Sequence, residues 1–219
     1  MTFQEQSDFF FAPKFRTRQE QIDFFFAQPF PKQPGPFFSS LHLARQEMQD
    51  CLIGTVVAED AILVYPGKRH RLFATVMVIM SGIDLLAQFY GGSDDQGGVR
   101  DRFTAFAAEF MFDGDPDPDK FAEVLYLGCR NPLLHSFSFH QKKYRIEVVS
   151  WLSPTGRPVR RIEDRFVISV EALVQAFVTT VRGYEAAVRT RDDLQAKFTK
   201  MFPDYGSIGV VPFDDTVTR

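Results

Sequence analysis

Cysteine, tryptophan and histidine are all scarce in this chain, with two, one and four copies in 219 residues. Cys51 and Cys129 lie in apolar or helical surroundings with no metal-ligating neighbour, so neither a disulfide framework nor a zinc site is expected to organise the fold. A reducing, cytoplasmic setting follows, and no cofactor or metal is expected. The start, Met1-Thr2-Phe3-Gln4-Glu5-Gln6, lacks the basic stretch and apolar run of a secretory signal. The longest apolar run, Leu72 to Met80, is too short for a bilayer and is closed by Ser81-Gly82 and Asp84, so a buried helix and no membrane partner are expected. Asp113-Gly-Asp-Pro-Asp-Pro-Asp119 alternates like a calcium loop. It has neither the spacing nor the closing glutamate of an EF-hand, and two prolines interrupt it, so a solvated turn with a helix N-cap is expected.

What the chain has in quantity is phenylalanine, 25 copies within a composition that is 45% hydrophobic, enough for one domain with a substantial core. Two triplets sit in a tandem repeat. Residues 4–15 (QEQSDFFFAPKF) recur fifteen positions later as residues 19–30 (QEQIDFFFAQPF), identical at nine of twelve places. Pro29, Pro31, Pro34 and Pro36 follow, and residues 1–38 read as an extended arm carrying two aromatic clusters. Such clusters must dock, because burying each ring is worth about 1.5–3 kcal/mol. The arm either wraps its own domain or a sister subunit, or offers a paired linear motif to a protein partner.

From residue 39 to 202 the apolar spacing is helical. Ser39 or Ser40 caps a segment to about Tyr65, weakened at Gly54; Lys68–Tyr90 is a second helix, ended by Gly91-Gly92; Val99–Phe112 is a third; and Asp117 or Asp119 caps a fourth through Arg130. Between about residues 144 and 170 the alternation is strand-like, with a turn at Ser153–Gly156. A long helix then runs from Glu171 to about Phe202, and residues 203–219 read as an irregular tail. The expected fold is mainly α: a bundle of about five helices with a small antiparallel hairpin or sheet inserted before the last long helix.

Charge is uneven, although the net value is only −3. Lys142, Lys143, Arg145, Arg157, Arg160, Arg161 and Arg165 face three acids, a local excess of four positive charges that suits RNA phosphates. This segment follows Arg130-Asn131-Pro132-Leu133-Leu134-His135. Asn131 is a good N-cap and Pro132 a good first helical residue, so the fourth helix should stop at Arg130 and a new turn should carry His135. A phosphate fits between the two. Arg130 remains charged and binds phosphate bidentately, while an imidazole titrates near pH 6.5 and can move a proton. Asp84, sharing a face with Ser81, can orient Arg130. The same residues also have a purely architectural reading, as a dipole-friendly arginine, a boundary Asn-Pro and a core histidine.

Arg130-Asn131-x-x-x-His135 resembles the Arg-x(4–6)-His motif of the HEPN superfamily, including the polar residue after the arginine. Ser81-Gly82-Ile83-Asp84-Leu85-Leu86, the following helix, residues 125–139 and the small sheet resemble a group of bacterial HEPN-like proteins, a likeness covering about residues 41–200. The resemblance implies a HEPN-like bundle and metal-independent endoribonuclease chemistry in toxin–antitoxin, antiphage or stress systems. It also implies a homodimer in which two motifs face one composite site, with Arg130, Asn131 and His135 as catalytic residues. Where HEPN toxins paired with a nucleotidyltransferase carry a tyrosine two residues after the histidine, this chain has Phe137. Some HEPN-like proteins have lost catalysis, which gives a second expectation: an RNA- or nucleotide-binding or protein-interaction module whose arm docks a partner.

Overall fold

A computed structural model describes residues 15–27, 37–51, 55–57, 62–64, 72–136, 143–149 and 156–209. Residues 4–14 of the first repeat copy, residues 153–155 of the expected turn and the carboxyl-terminal residues 210–219 lie outside them. The fold is mainly helical with a small mixed sheet. Eight α-helices occur among the described residues: α1 (Arg18–Phe26), α2 (Ser40–Cys51), α3 (Leu72–Gly91), α4 (Val99–Phe110), α5 (Pro118–Leu125), α6 (Asn131–Ser136), α7 (Val170–Thr190) and α8 (Asp192–Tyr205).

The centre is α3. Val76, Ile79, Met80, Ile83, Leu86, Ala87 and Phe89 are buried, against residues of α4, α7 and α8 such as Phe103, Phe106, Phe177 and Phe198. The helix runs through Ser81-Gly82 to Gly91, the end expected from Gly91-Gly92, and Gly82 lies under Phe177: a Cβ there would stand 2.6 Å from Phe177 Cζ. By length and composition residues Phe73–Gly91 meet the requirements of a membrane span, yet half of that stretch is buried inside this domain.

Residues 18–26, expected to be part of an extended arm, are helical instead. Thr17 and Glu20 form a reciprocal capping box, and Ile22, Phe25 and Phe26 are buried in the main core. The second repeat copy therefore covers its own domain. The helix expected from Ser40 to about Tyr65 stops at Cys51, and Thr55–Val57 (β2) pairs antiparallel with Ile62–Val64 (β3). The β-branched Thr55, Val56, Val57, Ile62 and Val64 account for that switch. Phe37–Ser39 (β1) pairs antiparallel with Ser207–Gly209 (β7), so the expected irregular tail is ordered at its start: α8 runs to Tyr205 and a strand follows.

The long carboxyl-terminal helix is two helices. Arg191 breaks it with extended backbone (φ −108°, ψ 115°), and Asp192 and Asp193 open the first turn of α8, where the helix dipole favours acids. The inserted sheet has strand order β4 (Arg145–Val149), β6 (Arg165–Ser169), β5 (Val159–Ile162). β5 and β6 form the expected antiparallel hairpin, turning at Glu163 (φ 54°), but β4 lies parallel to β6. Phe166, Val167 and Ile168 are buried consecutively, the pattern of a central strand covered on both faces.

The expected break at Asn131-Pro132 is absent. Asn131 is helical (φ −65°, ψ −53°) and donates its N–H to Tyr126 O, closing a single π-helical turn, Tyr126–Arg130, between α5 and α6. Pro132 has no N–H to give, and its ring crowds the carbonyl one turn back. Widening that turn keeps the helix going where an α turn would clash. Gly128, inside the wide turn, receives Ile146 of β4: a Cβ at Gly128 would stand 1.7 Å from Ile146 Cδ1. Gly128→Ala should therefore destabilise the fold by about 1–3 kcal/mol, read as a lower denaturant midpoint. Ile146→Val, by shortening the opposing side chain, should recover most of the loss in the double variant.

Candidate active site

Arg130 ends the wide turn and reaches α3. Its Nε donates to Asp84 Oδ2 at 2.8 Å with both side chains largely buried (17% and 18% exposed), and its Nη1 donates to Asn131 Oδ1 at 3.2 Å. The guanidinium carbon lies 5.5 Å from the centre of the Tyr126 ring, one turn earlier on the same helical stretch. Burial pushes the Asp84 carboxyl above its ordinary range. The hydrogen bond and charge of Arg130, and the charge of Arg102, oppose that push. The expected pairing of Asp84 with Arg130 is thus present.

Ser81 takes no part in it. Its exposed hydroxyl donates to Met77 O one turn back at 3.0 Å. His135 lies in α6 on the helix that carries Arg130, although its side chain lies outside the described residues. Five α-helical residues turn through about 500°, so positions 130 and 135 are separated by about 140° around the axis. The backbone of one chain does not put them on a common face.

A residue with no motif to announce it completes the site. Asp84, Ala87, Gln88, Val99, Arg102 and Arg130 line a cavity of about 100 Å³, room for a phosphate-sized group or about three waters. Arg102 of α4 lies in a slot between glycines. A Cβ at Gly91 would stand 2.4 Å from Arg102 Cδ, and one at Gly98 would stand 2.8 Å from Arg102 Nη1. Arg102 Nη1 also donates to Asp95 O at 2.7 Å. Two guanidiniums and one carboxylate leave the site one positive charge in excess, suited to an anion. The sequence signal was the pair of glycine doublets, Gly91-Gly92 and Gly97-Gly98, at the two ends of the connection from α3 to α4.

The basic segment is less free than its composition suggests. Arg145 pairs with Asp164 at 2.5 Å, Arg157 with Asp115 at 2.8 Å, Arg165 with Glu147 at 2.9 Å and Lys143 with Glu123 at 2.8 Å. Arg161 Nε donates to Glu163 O at 3.4 Å, and Arg160 is half-buried on β5. Lys142 lies outside the described residues. Folding brings two outside carboxylates, Asp115 and Glu123, onto the segment and so halves its positive excess.

Glu123 is the hub of that neutralisation, joining α4, α5 and the approach to β4. Its Oε1 accepts from Arg100 and Lys143 at 2.8 Å each, and its Oε2 accepts from Lys120 at 3.3 Å and from the Tyr144 hydroxyl. Hydrogen bonds from Lys143 and Tyr144, foremost among several causes, hold its carboxyl at about 2. Nothing in the local sequence marks it, since its partners come from three separate segments. Comparisons with protein-family models, curated proteins and solved structures find no match to this chain.

A carboxyl whose pKa is depressed by folding stabilises the protein above its unfolded value and loses that contribution as pH falls through the folded value. For Glu123 the window runs from the ordinary 4.5 down to about 2. Unfolding free energy measured against pH should fall more shallowly across that window in Glu123→Gln than in the parent chain. An identical acid slope in the two proteins would contradict the assignment.

Proposed function

We propose that this chain is a metal-independent endoribonuclease of the HEPN type, cutting RNA by attack of a 2′-hydroxyl on the adjacent phosphate. The observation that carries the reading is Arg130, held by Asp84 and Asn131 beside Arg102 over a phosphate-sized cavity, with His135 following on the same helix. The mainly helical fold is the class that the resemblance implies.

In this reading one base removes the 2′-hydroxyl proton, O2′ bonds to phosphorus and the P–O5′ bond breaks. The departing O5′ takes a proton, leaving a 2′,3′-cyclic phosphate and a 5′-hydroxyl. His135 moves a proton, and Arg130 stabilises the charge that builds on the non-bridging oxygens. Asp84 is a positioning residue that fixes Arg130. Arg102 adds a second cation to the same phosphate. The angular separation of positions 130 and 135 favours a composite site in which a second copy of the chain supplies the complementary residue, making the homodimer the active form. A cytoplasmic toxin, antiphage or stress effector is the setting that this chemistry suits.

One observation favours a non-catalytic RNA- or nucleotide-binding role instead: the pairing of Lys143, Arg145 and Arg157 with carboxylates leaves little free charge to hold a long substrate. The burial of Phe25 and Phe26 in their own domain takes those two rings of the second repeat copy away from a protein partner.

Incubating the pure protein with end-labelled single-stranded RNA in EDTA separates these readings. Cleavage with 2′,3′-cyclic phosphate ends is expected, with Arg130→Ala and His135→Ala each slower by roughly 10²–10³-fold. Arg102→Ala should weaken binding of a non-cleavable 2′-deoxy analogue by roughly tenfold or more. An inert parent protein that still binds the analogue supports the binding module, and full activity in His135→Ala rules out the proposed chemistry.

A further inference from the structure

The second repeat copy is a helix seated in a groove of its own domain, and each feature that seats it can be named. Phe89 of α3, Tyr184 of α7 and Phe198 of α8 form the floor. Phe25 meets Phe89 and Phe198 at ring-centre distances of 4.6 and 5.3 Å, and Phe26 meets Tyr184 and Phe198 at 6.0 and 5.9 Å. At the rim Arg189 pairs with Asp23 at 2.7 Å. The carboxyl end is gripped through main-chain carbonyls. Ser39 Oγ donates to Phe25 O at 2.9 Å, and Arg45 Nη1 donates to Phe26 O and Ala27 O at 3.3 Å each. The helix start is set by the Thr17–Glu20 capping box.

Fifteen residues earlier the same features stand in the same order. Thr2 and Glu5 match the capping-box pair in sequence, Asp8 matches the rim carboxylate, Phe10 and Phe11 the two core rings and Ala12 the last residue, and Pro13 is a residue type that stops helices. The main-chain grips by Ser39 and Arg45 require no particular side chain. Three contacts differ. Phe15, which packs on Phe24 and Phe202 at ring-centre distances of 5.0 and 5.2 Å, has no counterpart in residues 2–12. Ser7 replaces the buried Ile22, and Phe3 replaces Arg18, which holds Gln195 at 3.0 Å.

We infer that the groove is a binding site for either copy, and that residues 2–12 of the same chain occupy it whenever α1 is out. Ile22 sets the order of preference: burying an isoleucine where the first copy offers a serine favours the second copy on the order of tenfold to a hundredfold. Exchange lengthens the connection to β1 by fifteen residues, a small addition to loop entropy. Tethering gives the first copy a high effective concentration at its own groove and so favours it over the same segment from another chain.

The test is a mutant cycle in the full-length chain, followed by denaturant unfolding and light scattering. It compares the parent, Phe10→Ala/Phe11→Ala, Phe25→Ala/Phe26→Ala, and all four changes together. With α1 intact, loss of Phe10 and Phe11 should alter the folded-to-unfolded ratio by less than about twofold. With α1 disabled, the same loss should lower it by about tenfold or more, because the two copies are redundant. Equal effects in both backgrounds overturn the inference. In the α1-disabled chain Arg189→Asp should weaken folding and adding Asp8→Arg should restore it; no restoration overturns direct contact between Asp8 and Arg189. Should the α1-disabled chain fail to fold, adding Ser7→Ile gives the first copy the buried isoleucine of the second and should recover the fold; failure there also overturns the inference. The α1-disabled chain should have the same oligomeric mass whether or not Phe10 and Phe11 are intact. A larger mass that requires them places residues 2–12 in a second copy's groove and overturns the same-chain assignment.

Discussion

Burying Asp84 is the constraint around which this domain is arranged. It is the one charged residue in the twenty of α3, the helix that the others surround. An ionised carboxylate removed from water costs several kcal/mol unless a cation meets it in good geometry. Arg130 does so at 2.8 Å, and to do so the helix that carries it must lie against α3 at one height and one rotation. The ion pair adds little net stability by itself, but it makes other registers expensive. It is made from the end of the wide turn that Pro132 requires, the same turn in which Gly128 accepts Ile146 from the sheet. The meeting of the two helices and the phosphate-sized cavity thus share one desolvated charge.

A second framework is aromatic. Phe25, Phe26, Phe89, Phe106, Phe110, Tyr184, Phe198 and Phe202 form a continuous set of ring contacts linking α1, α3, α4, α7 and α8. Its rings meet mostly edge-on or tilted, which fills space while keeping the favourable quadrupole geometry. This framework binds α1 on the side of α3 away from the charged cavity. The site and the repeat share two helices, α3 and α4: Arg102 of α4 lines the cavity, while Phe106 and Phe110 of the same helix belong to the ring network.

Local signals in the sequence located much of this. Asp117 does cap α5, the apolar face of α4 is the one its spacing implies, and the Asp84–Arg130 pair follows from a lone carboxylate on an apolar helix. What the sequence withheld was settled by tertiary contacts. Asn131-Pro132 carries every mark of a helix start, yet packing on both sides keeps the helix whole and the strain goes into one widened turn. The parallel pairing of β4 with β6 depends on which strand is buried on both faces, a property of the assembled sheet. Lys143 and Arg157 read as free cations because Glu123 and Asp115, their partners, lie 20 and 42 positions earlier in the chain. Arg102 had no motif, and only the glycines around it hinted that its side chain needed room.

The wide turn Tyr126–Arg130 holds one residue more than an α-helical turn spends on the same rise. A residue added to a helix rotates everything after it by about 100°. Up to Leu125 the helix turns an apolar stripe toward the core; beyond the extra residue, the same stripe would no longer point where it did. Arg130 faces α3 because of that phase shift, in a direction that uninterrupted α geometry would have assigned to a different residue. Spacing in a motif is counted in residues, whereas chemistry is arranged in angles. In this chain a single surplus residue converts one measure into the other.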